Sequence, residues 1–300
     1  MLGVFGFCRG DSLVGRYNHA IQFILASTDV KTIKASQADV KIQLGKTITK
    51  GKGAGAIPET GKKAAQESLE EIESVLTGAD MLILTAGMGG GTGTLAAAEI
   101  AKCARKLNIL TLAFVTTPFR LEGRKRAKYA AEGIAQLEQS ADSMIVVANE
   151  MLLSVLGPQT YFRDAIDTCN EILYKAISGL LVTMTRSGLI NIDFADVKLI
   201  LSQSGKAIIG HGVGRGENAI EEATQQAFEN PLIDVKNITD ARGILISVIA
   251  NDKFDISQLD HVGKCVQQVI NPESEVIVGL VIDNAVQDRI ELMLIATGIC

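Results

Sequence analysis

Apolar positions in the first half of the chain fall into short continuous blocks, separated by stretches in which they recur at helical spacing. Residues 21–26, 81–85, 109–116 and 144–148 are strand-length apolar runs, whereas 64–76 and 124–137 repeat apolar residues every three or four positions. A strand that is apolar along its whole length is covered on both faces, so the alternation predicts an α/β architecture: a parallel sheet with helices on both faces. Residues 162–185 then keep near-helical apolar spacing for about six turns, which predicts a long central helix. Beyond it the order changes. Helical segments at 194–202, 219–229 and 256–269 mix with apolar strands at 243–250, 275–282 and 290–296, the pattern of a smaller α+β second domain. The expected division is a first domain over 1–162, the central helix over 163–187 and a second domain over 188–300.

Most of the chemistry is concentrated in Gly87-Met88-Gly89-Gly90-Gly91-Thr92-Gly93-Thr94, which follows the strand at 81–84 and opens a helix near Leu95. Glycines let successive backbone N–H groups turn toward one ligand without Cβ clashes, and the helix N-terminus behind them carries about half a positive charge. The carboxyl ends of strands are also where open α/β sheets bind ligands. A linker can be this rich in glycine, but a linker is not clamped between an apolar strand and an alanine-rich helix. Two familiar phosphate loops are excluded. A P-loop needs Lys-Ser/Thr after its last glycine, and none follows. A dinucleotide fold needs an acidic residue at the end of the next strand, and here that strand ends in Thr116-Thr117-Pro118, which disfavours a nicotinamide dehydrogenase.

Gly-Gly-Gly-Thr-Gly-Thr is instead the signature of another family, and further motifs accompany it. They are Ala38 to Gly45, Gly53-Ala54-Gly55-Ala56-Ile57-Pro58-Glu59, Thr117-Pro118-Phe119 through Glu122-Gly123-Arg124-Lys125-Arg126, Gly188-Leu189-Ile190-Asn191-Ile192-Asp193-Phe194-Ala195-Asp196-Val197-Lys198, and Ile295-Ala296-Thr297-Gly298. On these residues the chain resembles the tubulin/FtsZ superfamily, from about Ile21 to Gly298.

The resemblance implies a GTPase of bacterial cell division that polymerises with itself, head to tail, in the cytoplasm at the division site. GTP with Mg2+ would be bound by the first domain and released as GDP and phosphate, with no metal ligand assigned to a protein side chain. Gly89, Gly90, Gly91, Thr92 and Gly93 would hold the phosphates, together with Gly10 and Ser12. Gly53, Ala54 and Gly55 would approach the γ-phosphate, Thr117, Pro118, Glu122 and Arg126 would contact ribose and phosphate, and Asn149 and Asn170 would face the guanine. The family usually has aspartate where Asn170 stands; an amide presents an NH2 beside its acceptor, so looser base selectivity is expected. Division-ring adaptor proteins are the further partners the resemblance implies.

Asp193 and Asp196 have two readings. Three residues apart at a helix start, they suit an N-cap and a first-turn acid that complements the helix dipole, and spacing alone favours that role. The eleven-residue match favours the other: with Asn191 they would sit over a neighbouring subunit's γ-phosphate and polarise the attacking water.

The N-terminus departs from the family. Its first glycine loop corresponds to Phe5-Gly6-Phe7-Cys8-Arg9-Gly10-Asp11-Ser12, where side chains replace several glycines and Asp11 brings a negative charge. Leu95 stands for a glycine, Ile57 for an asparagine, Ser27 for an asparagine, and Ile166 for an aromatic. These changes lie on the nucleotide-receiving face, so lower intrinsic hydrolysis is expected, with a non-hydrolysing structural filament as the alternative.

Composition narrows the remaining choices. A chain of 300 residues that is 47% hydrophobic and 21% charged can bury two substantial cores, and a net charge of -5 disfavours nucleic acid. No apolar run approaches the length of a membrane span, and Met1 to Cys8 lacks the basic start of a signal peptide. Cys8, Cys103, Cys169, Cys265 and Cys300 are scattered, and only His19, His211 and His261 accompany them, so neither disulfides nor zinc is suggested. Arg124 to Arg126 is read as a solvated helix face from which only Arg126 gains a role. Gly210 to Gly216 is read as a turn, and Lys46 to Lys52 as a mobile, solvated loop.

Overall fold

In the computed structural model, which describes residues 4–8, 21–150, 161–186, 188–203, 205–228 and 238–299, the chain divides into two units, Met1–Glu150 and Met151–Cys300. The first unit is built on strands β1 (Val4–Cys8), β2 (Ile21–Ser27), β3 (Val40–Gln43), β4 (Met81–Gly87), β5 (Leu110–Thr117) and β6 (Ser143–Ala148), in the spatial order β3-β2-β1-β4-β5-β6. The pairs β2–β3, β4–β5 and β5–β6 are parallel. Strand β1 is the exception, antiparallel to both β2 and β4, with Gly6 opposite Ile83 and Cys8 opposite Met81.

Helices α1 (Val30–Ala35), α2 (Lys46–Thr49), α3 (Pro58–Glu67), α4 (Leu69–Leu76), α5 (Gly93–Lys106) and α6 (Arg124–Glu138) complete this unit. The core is centred on α5, where Ala96, Ala97, Ala98, Ala101 and Ala104 are fully buried against Leu82, Leu84, Ala113 and Val115. Alanine here lets the helix lie close to the sheet while keeping a high helix propensity. The buried charged residue on α5 is Glu99. Burial alone would raise its pKa, but hydrogen bonds from Lys102 (2.8 Å) and Gln66 (3.0 Å) prevail and lower it.

The helix expected over 64–76 is two helices that meet at Ser68, whose hydroxyl accepts the Gly45 N–H at 3.1 Å. The stretch Lys46 to Lys52, expected to be a mobile loop, begins as helix α2 and is clipped in place. The Glu67 carboxylate accepts the N–H groups of Thr47 (2.7 Å) and Ile48 (3.1 Å), and the buried Thr49 hydroxyl donates to Gly45 O at 2.9 Å.

The second unit contains α7 (Phe162–Thr185), α8 (Phe194–Leu201), β7 (Gly205–Arg215), α9 (Ala219–Phe228), β8 (Gly243–Ala250), α10 (Ile256–Gln267), β9 (Glu275–Ile282) and β10 (Arg289–Ile299). Its strand order is β7-β10-β8-β9, with β10 antiparallel to β7 and β8, and β8 parallel to β9. The glycine-rich stretch expected as a turn after Gly210 lies almost entirely within β7. Its glycines answer a packing demand: a Cβ on Gly212 would sit 1.8 Å from Ala223 O, and one on Gly214 would sit 1.7 Å from Ala219 O, both on α9.

Candidate functional site

Strand β4 ends at Gly87, and the chain reaches helix α5 through Met88 to Thr92. Neighbouring backbone crowds this turn. Gly89 has φ +90, and a Cβ there would lie 2.8 Å from Arg126 O and 3.1 Å from Pro118 Cγ. A Cβ on Gly91 would lie 2.9 Å from Ala54 Cβ and from the N atoms of Ala56 and Ile57. The sequence segments 53–57, 87–94 and 118–126 are therefore packed around one another at the carboxyl end of β4.

Part of the loop's hydrogen bonding is internal. Met88 N–H donates to Thr116 O (2.8 Å), Gly89 N–H to the Thr94 hydroxyl (2.9 Å), and that hydroxyl to Gly90 O (2.5 Å). Among the described residues, the N–H groups of Gly90, Gly91 and Thr92 make no hydrogen bond. Buried backbone donors are almost always satisfied, so a row of open N–H groups at a helix start is a ready anion site.

Thr28, fully buried at the end of β2, ties two of these loops together. Its hydroxyl lies 2.7 Å from the Thr92 hydroxyl, and its carbonyl accepts Gly53 N–H at 3.0 Å. Sequence reasoning gave Thr28 no role, although the rule that ligands gather at strand carboxyl ends applies to β2 as it does to β4. On the other side, Thr117 ends β5 opposite Ala148, which places Asn149 one residue beyond the same edge. Glu122 accepts Phe119 N–H at 3.0 Å and pairs with Arg126. Asn149 Oδ1 is buried without a partner among the described residues. An orphan acceptor of this kind costs about 1–3 kcal/mol, which a ligand donor would recover.

The remaining candidates are placed differently. Gly10 and Ser12 lie outside the described residues. Phe5 to Cys8, aligned with the first phosphate loop, is β-strand, and it runs toward the Met81 end of β4, away from Gly87. Asn170 is exposed on α7 in the second unit.

Asn191, Asp193 and Asp196 are brought together in the second unit by the turn from α7 to α8. Gly188 packs under this turn, where a Cβ would sit 2.2 Å from Leu280 O. Leu189 N–H donates to Leu280 O at 2.8 Å, and Leu280 N–H returns to Ile190 O at 3.0 Å. Asn191 Oδ1 accepts Gly188 N–H at 2.8 Å, so its NH2 is the group left for another molecule. Asp193 and Asp196 form a reciprocal capping box: Asp193 Oδ1 accepts Asp196 N–H at 2.8 Å, and Asp196 Oδ2 accepts Asp193 N–H at 3.2 Å. Each carboxylate keeps its second oxygen uncommitted to the cap. Leu189 beside them is 72% exposed, an apolar tip suited to burial by another chain.

The chain is similar to known proteins along most of its length. The family model described as Tubulin/FtsZ family, GTPase domain, matches residues 14–157, and FtsZ family, C-terminal domain, matches 205–300. Cell division protein FtsZ of Pseudomonas aeruginosa is 43% identical over 279 residues, covering 93% of this chain and 71% of that protein. Mitochondrial division protein fszA of Dictyostelium discoideum is 40% identical over 288 residues, covering 96% and 55%. Among solved structures, an empty FtsZ dimer of M. jannaschii aligns with a TM-score of 0.86 at 37% identity, covering 92% of this chain and 80% of that one. CetZ2 of Haloferax volcanii, in a GTPgS-bound protofilament, shares the fold with a TM-score of 0.79 at 17% identity, covering 92% and 84%.

Proposed function

The chain belongs to the tubulin/FtsZ family of self-assembling cell-division GTPases, and we propose that its first unit holds GTP while the α7–α8 turn of its second unit completes hydrolysis on the next subunit. The observation that carries the first half is the pairing of open donors with one orphan acceptor. Gly90, Gly91 and Thr92 offer N–H groups to phosphate oxygens, and Asn149 Oδ1 awaits an N–H donor, which a guanine edge supplies.

Gly89 and Gly93 give the phosphate loop its shape. Gly53 to Gly55, tied to Thr28, approach the terminal phosphate, and Glu122 and Arg126 take the ribose and phosphate side with Thr117 and Pro118. Among the described residues no group of three or more His, Cys, Asp or Glu side chains is arranged to hold a metal. Mg2+ would be carried in on phosphate oxygens and water, where it would neutralise charge on the phosphates.

On the other side of the junction, the uncommitted oxygens of Asp193 and Asp196 accept hydrogen bonds from the attacking water and draw its proton density away from the forming bond. The Asn191 NH2 donates to the neighbour's nucleotide. Because phosphoryl transfer asks mainly for positioning and charge compensation, these three groups suffice on the attacking side. Division-ring adaptors and action at the division site belong to the same reading. Among the described residues no helix is long and apolar enough to cross a membrane.

Phosphate release from GTP, followed against protein concentration beside light scattering, tests the proposal. One threshold shared by both signals is expected. Filaments without phosphate release, or release proportional to protein below the threshold, would overturn catalysis across the junction.

A further inference from the structure

Helix α7 stops at Arg186, whose N–H still bonds back to Val182 O at 2.9 Å while its backbone has turned extended, with φ -99 and ψ 135. Its guanidinium pairs with the carboxylate of Asp283, on the turn after β9 and 97 residues away in sequence. Asp283 is well anchored. Its N–H donates to Ala250 O at 2.8 Å, and its other carboxylate oxygen accepts Ala285 N–H at 2.9 Å. That N–H, followed by the Arg186 guanidinium, holds the Asp283 carboxyl below the usual range for aspartate.

The turn that carries Asn191 and the two aspartates follows Arg186 in the chain and is described from Gly188 on. It is fastened at two points to one strand and its end: at Ile190, bridged to Leu280, and at Arg186, paired with Asp283 three residues further on. The Arg186 side chain is 51% exposed and that of Asp283 25%, and ion pairs this open to water contribute little to stability. Fixing a direction is a different matter. Without the pair, the exit of α7 can swing about the Leu280 bridge, and Gly188 N–H would no longer meet Asn191 Oδ1 at a set angle.

We propose that Arg186 and Asp283 are positioning residues for the reaction in the neighbouring subunit, holding the α7–α8 turn so that Asn191, Asp193 and Asp196 reach its nucleotide in register. The proposal rests on the function proposed above.

Asp283→Asn tests it, because the amide still accepts Ala285 N–H and keeps the turn while losing the charge that orients Arg186. Turnover per assembled subunit should fall about tenfold, since displacements near an ångström at a reacting centre have effects of that order or larger. KM for GTP and the assembly threshold should stay at wild-type values, and the melting temperature should barely move. Arg186→Lys should recover part of the rate that Arg186→Gln loses. Wild-type turnover in Asp283→Asn filaments would overturn the positioning role, as would a loss confined to KM or the threshold. A wild-type chain with no assembly-dependent turnover would instead overturn the functional reading itself.

Discussion

Asp193 is the position at which capping and catalysis can be pulled apart. Its backbone is extended, with φ -83 and ψ 170, and its carboxylate accepts Asp196 N–H at 2.8 Å at the start of α8. Asp193→Ala removes that acceptor and leaves the first turn short of a partner, a change that costs about 1 kcal/mol. In a unit of this size, that corresponds to a melting temperature lower by roughly 2–4 °C. Asp193→Ser keeps an oxygen for the same N–H, and serine caps helices about as well as aspartate. What it loses is charge near the helix dipole, roughly 0.3–1 kcal/mol at an exposed site, so it should melt at or slightly below the wild-type temperature. Turnover should behave otherwise. Both variants lack the oxygen that polarises water, and removal of a positioned general base lowers rates by about 10²–10⁴. The assay is thermal melting of the unassembled protein beside phosphate release from filaments whose mass is checked by pelleting. If Asp193→Ser filaments turn over GTP at the wild-type rate while Asp193→Ala melts early, Asp193 is a cap and nothing more, and the catalytic assignment fails.

Two further predictions concern stability. His211 lines a cavity of about 170 Å³ with Lys175, Ser247 and Met293, and burial pushes its pKa below the usual 6.5, with Glu291 opposing and Lys175 adding to the shift. The unfolded chain then takes up its proton first, so the contribution is complete above pH 6.5 and is lost as pH falls from there through the lower folded value. His211→Gln should flatten the fall in melting temperature on acidification across that window, and an unchanged slope would refute the burial argument. At the start of α3, Ile57 occupies the N-cap with φ -110 and ψ 107, has no side-chain hydrogen bond and is 53% exposed. Ile57→Asn should add a cap worth about 1 kcal/mol. Denaturant titration showing no gain would mean that contacts of Ile57 with the glycine loop outweigh the cap.

How far the chain could be read without coordinates depended on where each element's instructions lie. β4, β5 and β6 were legible because strands covered on both faces are apolar throughout, and α7 because its spacing persists over 24 residues. β3 has only the four residues Val40–Gln43, too few to show a period. β7 was misread for a more instructive reason. Gly210, Gly212 and Gly214 look locally like a turn, but Gly212 and Gly214 are there because α9 lies against the strand, and no local rule reports the approach of a helix from later in the chain. Lys46 to Lys52 looked solvated because its composition is, yet Glu67 holds it by the backbone N–H groups of Thr47 and Ile48. The phosphate loop was legible because glycine crowding and ligand approach leave the same mark on a sequence. Thr28 was not, because a single buried threonine has no pattern to recognise.

The capping and catalytic readings of Asp193 and Asp196, opposed on spacing alone, are compatible in the folded chain. A capping box fixes one oxygen of each carboxylate against a backbone N–H, and in doing so it fixes the direction of the other oxygen. Asn191 is treated the same way, its carbonyl held by Gly188 so that its NH2 faces outward. Groups oriented by folding need no reorganisation when charge develops in the transition state, which is the condition under which electrostatic catalysis is strongest. On the reading proposed above, a subunit therefore carries the attacking half of the reaction already set before it meets a partner. On the proposed mechanism, assembly supplies the nucleotide to a turn that is waiting for it, and dependence of hydrolysis on assembly follows from proximity alone, with no rearrangement of the α7–α8 turn.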